Sequence, residues 1–306
     1  MNRTPVSFYL PGFFDRMHMQ LAWIMLMEKY PEFFCDNVRI GALYDAFPGS
    51  LWNGGRCVLG QCDRQEAEYV ISEFDERGIP LRFTFTNSLL EEEHLGDPFC
   101  NFCLEQIASP KRKTVHEVLV NSPLLEAYIR TYYPAIPLIS STTKQIRSIT
   151  KLEGELEKDY RLVVGYKALN TGDQLLQIAP EKRGKLEVLA DSFCMDDCPR
   201  SKQHYEEVAR AQLEGREPGP LAGGACRAIN RDFYEFMENE TFITRERLYG
   251  QLVPAGFLHI KLDGRTFTDA DVIESYLYYM TKPEQTEARD RLRLVMHKSL
   301  EKLRRM

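Results

Sequence analysis

No stretch of about 18 uninterrupted apolar residues occurs in this chain, so no membrane-spanning helix is expected. The apolar run LAWIMLM, Leu21 to Met27, is too short to cross a bilayer. It also begins too deep in the chain for a signal peptide, with Asp15 and Arg16 just before it and a strand-like VSFYL upstream. It reads as a buried helix. A basic excess is lacking too: 39 Lys and Arg against 45 Asp and Glu leave a net charge of −6. That balance speaks against a dedicated nucleic-acid binder, which usually shows a basic face. One basic stretch, RDRLRLVMHKSLEKLRRM from Arg289 to Met306, has helical period and reads as a solvated terminal helix. No GxGxxG follows the first strand, which disfavours a dinucleotide-binding sheet. GxSxG and HExxH are absent, and no His is placed by a recognisable motif around a single cysteine. Internal repeats and low-complexity segments are absent as well.

What is present is a chain of 306 residues, 43% hydrophobic and 27% charged, which suits a soluble globular protein with a substantial core. That length allows one large barrel or two ordinary domains. Eight cysteines without a signal peptide point to a reducing cytoplasm. There, clustered thiols bind metal or do redox chemistry more often than they form disulfides.

Strand-like and helix-like segments alternate. VSFYL (Val6 to Leu10) leads to a helix over Asp15 to Tyr30, then RIGALY (Arg39 to Tyr44) and the glycine-rich loop LWNGGR. Asp63 and Glu66 have capping-box spacing for the next helix, before the β-branched and aromatic run LRFTFTN. A long loop, SLLEEEHLGDPFCNFC, precedes a helix and the strand VHEVLVN. Ser122 and Pro123 then supply an N-cap and a first-turn proline. IPLISSTT, YRLVVGY, KLEVLADSF and GFLHIKL are the later strands, and Thr268 with Asp271 caps the helix DVIESYLYYM. The repeated βα pattern in units of roughly 25 to 40 residues predicts an α/β, TIM-like (β/α) barrel. Residues 1–306 are read as one domain. Residues 200–246 form a capping insertion before the last strand and 285–306 a C-terminal helix.

In such a barrel the chemistry sits at the C-terminal ends of the strands. Cys194 and Cys198, in DSFCMDDCPR, meet that condition, and Cys226 lies beside glycines in GGAC. A 4Fe-4S cluster usually takes four thiolates. Cys100 and Cys103 compete for the fourth place, with Cys100 favoured because it is read as loop and Cys103 as helix. Zinc is the sharper rival, since four thiolates also make a closed structural site. Spacing alone does not separate the two metals. The C-x3-C-x2-C pattern of radical S-adenosylmethionine enzymes is set aside, because Ser201 stands in its third position. Cys35, Cys57 and Cys62 read as ordinary buried hydrophobes.

Other polar residues fall at strand ends: Asp45, Asn87, Ser141, Thr142, Thr143, Asn170 and Asp191. Arg56 and Arg265 are candidate grips for a carboxylated small molecule, because guanidinium binds carboxylate in bidentate fashion. His94 and Asp97, in EEEHLGDPFC, are candidate acid and base. Tyr44, Trp52 and Tyr166 are candidate walls.

The segment HIKLDGR, His259 to Arg265, followed by DVIESYLYYM, resembles the KIEGR signature of the collagenase-like peptidases. VHEVLVNSPLLEAYIRTYYPAIPLISSTT is similar to that family's strand–helix–strand run. The resemblance covers roughly Val115 to Met280. It departs at Asp263, where the family usually has Glu, and in the cysteine spacing. The family is named for a reported protease activity, and it includes iron–sulfur proteins that hydroxylate ubiquinone precursors and tRNA uridine without oxygen. The resemblance implies that Lys261, Asp263 and Arg265 fill signature positions and that Cys194, Cys198 and Cys226 stand in for cluster ligands.

The reading is a cytoplasmic iron–sulfur barrel enzyme, with a 4Fe-4S cluster on Cys100, Cys194, Cys198 and Cys226. His94, Asp97 and Asp263 are its catalytic candidates, and Arg56, Asn87, Lys261 and Arg265 its substrate-binding ones. Its substrate is a small polar or carboxylated molecule, hydroxylated without oxygen. A protein partner or homo-oligomer is allowed for, since the hydroxylases it resembles can work in pairs. The rival readings are a zinc-stabilised, non-catalytic binding protein and, third, a protease.

Overall fold

The structure is a computed structural model that describes residues 4–195, 198–219, 232–264 and 267–303. Eight parallel strands close into a barrel in chain order, with the last pairing back onto the first. They are β1 (Val6–Pro11), β2 (Val38–Asp45), β3 (Leu81–Phe85), β4 (Glu117–Val120), β5 (Leu138–Ser140), β6 (Leu162–Val164), β7 (Leu186–Leu189) and β8 (His259–Lys261). Each coincides with a run of β-branched, aromatic or aliphatic residues that suits a pleated surface buried on both faces. The protein is therefore a (β/α)8 barrel.

The helices begin where side-chain oxygens satisfy the first free N–H groups. Asp63 accepts from the Glu66 N–H at the start of α2 (Arg64–Asp75). Ser122 accepts from Leu125 ahead of Pro123 in α4 (Pro123–Tyr132). Thr268 and Asp271 cap each other reciprocally at α10 (Asp269–Met280). The apolar run from Leu21 lies within α1 (Met17–Lys29), which packs against the terminal helix α11 (Thr286–Leu303). Shorter helices α5 (Ile149–Leu156), α6 (Pro180–Arg183), α8 (Phe233–Phe236) and α9 (Arg245–Arg247) lie between the later strands. No helix among the described residues is long and apolar enough to cross a membrane.

Two expectations shift. The strand expected over Ile136 to Thr143 keeps only Leu138–Ser140, because the Ser141 hydroxyl accepts the Thr143 N–H and turns the chain into a 3-10 turn. Cys100 lies in helix, not in loop. Pro98 opens α3 (Pro98–Ala108), and Asp97 caps it by accepting from the Cys100 N–H at 2.7 Å.

Alternation along the strands divides the interior in two. Outward residues pack under the helices as the main core. Tyr9, Ala42, Tyr44, Leu119, Ile139, Leu162 and Val164 form a separate cluster that fills the lumen. The lumen also holds charge. Arg82 shares this inward parity, because Leu81, Phe83 and Phe85 belong to the outer core. Its Nε donates to Glu117 Oε2 at 2.8 Å and its Nη1 to Glu187 Oε2 at 2.5 Å. The guanidinium lies 4.0 Å from the centroid of the Tyr9 ring, whose hydroxyl meets His259 Nδ1 at 2.7 Å.

After β7 the chain forms α7 (Ser201–Glu214). Gln212 of this helix donates to the Ser50 carbonyl at 3.0 Å and accepts from the Val58 N–H at 2.7 Å. Asn87, beyond β3, donates to the Ala209 carbonyl at 3.0 Å. Helix α7 therefore lies along loops that leave the C-terminal ends of β2 and β3.

Candidate functional site

The C-terminal mouth is built from the loops that leave the strand ends. Beyond β7, Asp191 makes an antiparallel bridge with Phe242, and the Ala190 carbonyl accepts the Ile243 N–H at 2.8 Å. The same returning segment grips the cysteine loop. Asn239 donates to the Phe193 carbonyl at 3.0 Å, and the Thr241 hydroxyl donates to the Cys194 carbonyl at 2.8 Å. On the far side, the Ser201 N–H at the start of α7 donates to the Cys198 carbonyl at 3.1 Å. Cys194 and Cys198 are both half-buried. The main-chain carbonyls of Cys194 and Cys198 are thus both hydrogen-bonded, just beyond the end of β7.

Cys100 sits on the helix that follows β3. It is fully buried in α3, 3.4 Å from the Ser50 hydroxyl, and burial pushes its thiol well above the usual range. Cys103, its rival for the fourth place, is also buried in α3, and burial raises its thiol strongly too. Among the described residues no group of three or more His, Cys, Asp and Glu side chains is arranged to hold a metal ion. Cys226 and Arg265 lie outside the described residues.

The two acid–base candidates are occupied with capping. His94 Nδ1 accepts the Glu91 N–H at 2.8 Å, and its carbonyl accepts from Trp52 Nε1 at 2.7 Å. Asp97 caps α3. Arg56 is engaged by two carboxylates, those of Asp45 and Asp15. Asp45 also accepts the Phe14 N–H at 3.1 Å, so this cluster clamps the β1–α1 turn onto the end of β2. Asn87 Oδ1 accepts the Leu89 N–H at 2.9 Å while its amide holds α7, so both of its ends are in use.

The signature-like segment behaves differently. Lys261 points into the lumen, with its ammonium 3.3 Å from the centroid of the Tyr44 ring and 4.0 Å from Glu187. Asp263, 7% exposed, donates its N–H to Asp191 Oδ1 at 2.5 Å, and its own Oδ1 accepts from Gly264 at 2.8 Å. Gly264 is required here, since a Cβ would lie 2.4 Å from Pro11 Cγ at the end of β1. Asp191 is fully buried. Burial first, and the neighbouring Asp263 charge second, raise its carboxyl to about 8. It is a neutral acid at physiological pH, oriented by the Ser275 hydroxyl at 2.7 Å.

Beyond β4, β5 and β6 a further set of polar groups gathers. Asn121 donates to Thr143 Oγ1 at 2.9 Å, and Thr143 meets Ser141 Oγ at 2.9 Å. Thr142 donates to the Gly165 carbonyl at 2.9 Å, tying the two strand ends together. Gln145 adopts the left-handed region at φ 54° and accepts from the Ser201 hydroxyl at 2.9 Å, while Arg147 donates to that hydroxyl at 2.9 Å. These bonds link the β5 loop to the helix that follows the cysteines. Tyr166, expected as a wall, is buried here, and Lys167 beside it carried no sequence signal beyond its place after a strand.

The comparisons with known proteins support the architecture. The chain is similar to the solved structure of the U32 peptidase Mk0906, with a TM-score of 0.51 and 17% sequence identity over 87% of this chain and 96% of that one. At that identity the likeness is one of fold: a distant relationship to a collagenase-like (U32) peptidase barrel. No protein-family model matches the chain. No curated protein matches it either.

Proposed function

We propose that the chain is a barrel enzyme whose C-terminal mouth holds an iron–sulfur centre through the thiolates of Cys194 and Cys198, with Cys226 as a further ligand. The observation that supports this reading is that two half-buried cysteines follow β7, whose C-terminal end faces the catalytic mouth of such a barrel. The donor set fits a soft metal, since thiolates select iron–sulfur clusters and zinc over hard cations. When bound, such a centre would supply electron transfer. The reaction proposed is an oxidoreduction of a small polar or carboxylated substrate, with oxygen-independent hydroxylation as its class. In this reading Lys261 and the neutral acid Asp191 lie beneath the substrate and orient it by charge and hydrogen bonding.

Mk0906 is named a peptidase, but a shared fold at 17% identity does not assign that reaction. Anaerobic purification followed by iron and zinc analysis tests the proposal. Iron with broad visible absorbance is the expected result. Stoichiometric zinc would favour a structural thiolate site instead, and a folded, colourless, metal-free protein would end the metal reading altogether.

A further inference from the structure

Lys167 opens the 3-10 turn Lys167–Asn170 immediately beyond β6 and is only 6% exposed. Among the described residues its ammonium has neither an ion pair nor a hydrogen bond, and it lies 5.7 Å from the centroid of the Tyr166 ring. The stem of Lys167 is packed away, and a ring at this distance is only a weak partner for its ammonium. The hydroxyl of Tyr166 is also buried and has no hydrogen-bond partner among the described residues. Tyr166 itself is 2% exposed. Arg147 sets its guanidinium 5.1 Å from the same ring centroid, held by its bond to Ser201. One ring at the catalytic end of the barrel thus gathers two cations and an idle hydroxyl donor.

A buried hydroxyl is nearly always satisfied, and an acceptor with negative charge would serve both the idle Tyr166 hydroxyl and the Lys167 ammonium on the adjacent residue. We infer that Tyr166 and Lys167, with Arg147 beside them, form an oxyanion subsite that receives the carboxylate or phosphate of a ligand at the mouth. The hydroxyl and the ammonium donate to the ligand's oxygens. This subsite rests on the mouth being the ligand-binding end, as proposed above, but not on the metal.

The test is calorimetric titration of the full chain at low ionic strength with inorganic phosphate and, separately, with succinate. Saturable binding of at least one probe is expected, and preference between the two separates a phosphorylated ligand from a carboxylated one. Lys167→Met should weaken binding by about ten-fold or more, and Tyr166→Phe by about three-fold. Lys111→Met, at an exposed turn, should leave it unchanged. Without ligand, Lys167→Met should not lower the melting temperature, because the ammonium makes no ion pair or hydrogen bond among the described residues; a structural lysine would lower it. Failure of both probes to bind folded protein would overturn the inference. So would binding indifferent to Lys167→Met, or a lowered melting temperature with binding intact. Iron-free protein that still binds a probe through Lys167 would end the metal reading while leaving this subsite standing.

Discussion

The carboxyl of Asp191 accepts the main-chain N–H of Asp263 at 2.5 Å, and this bond joins the end of β7 to the end of β8. It couples the cysteine loop to the signature-like segment at the mouth. Burial and the Asp263 charge raise the Asp191 carboxyl to about 8, so it is protonated in the folded chain well above its unfolded titration near 4. The folded state therefore binds the extra proton between about pH 4 and pH 8. The stability it contributes is complete in acid and is lost as pH rises through that window. Urea unfolding of wild type and Asp191→Asn should show a difference that shifts against wild type by up to about 1.4 kcal/mol per pH unit there. A constant difference across the window would contradict the assignment.

Arg82 bridges two carboxylates in the lumen, and removing it leaves Glu117 with only the half-exposed Arg161 and Glu187 with Lys261 at 4.0 Å. Arg82→Met should destabilise the barrel by about 3–5 kcal/mol, because a buried pair broken on one side leaves uncompensated charge. Replacing Arg82, Glu117 and Glu187 together by apolar residues of similar volume should cost much less. Denaturant midpoints of the single and triple variants check this. Equal losses would show that packing, not charge, makes the site.

Gly54 packs against the chain beyond β3, where a Cβ would come within 2.5 Å of the Thr86 carbonyl carbon and oxygen. Backbone cannot yield as a flexible side chain can, so Gly54→Ala should cost about 1–3 kcal/mol. A melting temperature equal to that of wild type would contradict the close approach.

Cys100 separates packing from ligation. Cys100→Ala should leave metal content unchanged and lower stability by about 1 kcal/mol through the small void left in α3. Loss of metal in this variant would restore Cys100 as a ligand.

Much of this architecture can be read from residues alone. The strands coincide with β-branched and aromatic runs, and the caps at Asp63, Ser122 and Thr268 are local patterns that short-range hydrogen bonds decide. The Asp97–Pro98 start of α3 is just as local, yet the long acidic loop before it hides the helix onset and makes Cys100 look exposed. The lumen charges are not legible, because Arg82 meets partners 35 and 105 positions away. Arg56 reads as a free cation for the same reason, since its neutralising Asp45 and Asp15 come from other elements. Lys167 looks ordinary until the fold shows it beside the idle hydroxyl of Tyr166.

The most direct measurement of the central claim is iron and acid-labile sulfide per chain in anaerobically prepared wild type and in Cys194→Ser/Cys198→Ser. The account predicts iron and sulfide in the first, and their loss in a still-folded second. A double variant that retains both at wild-type levels, or a wild type that holds neither, would contradict it.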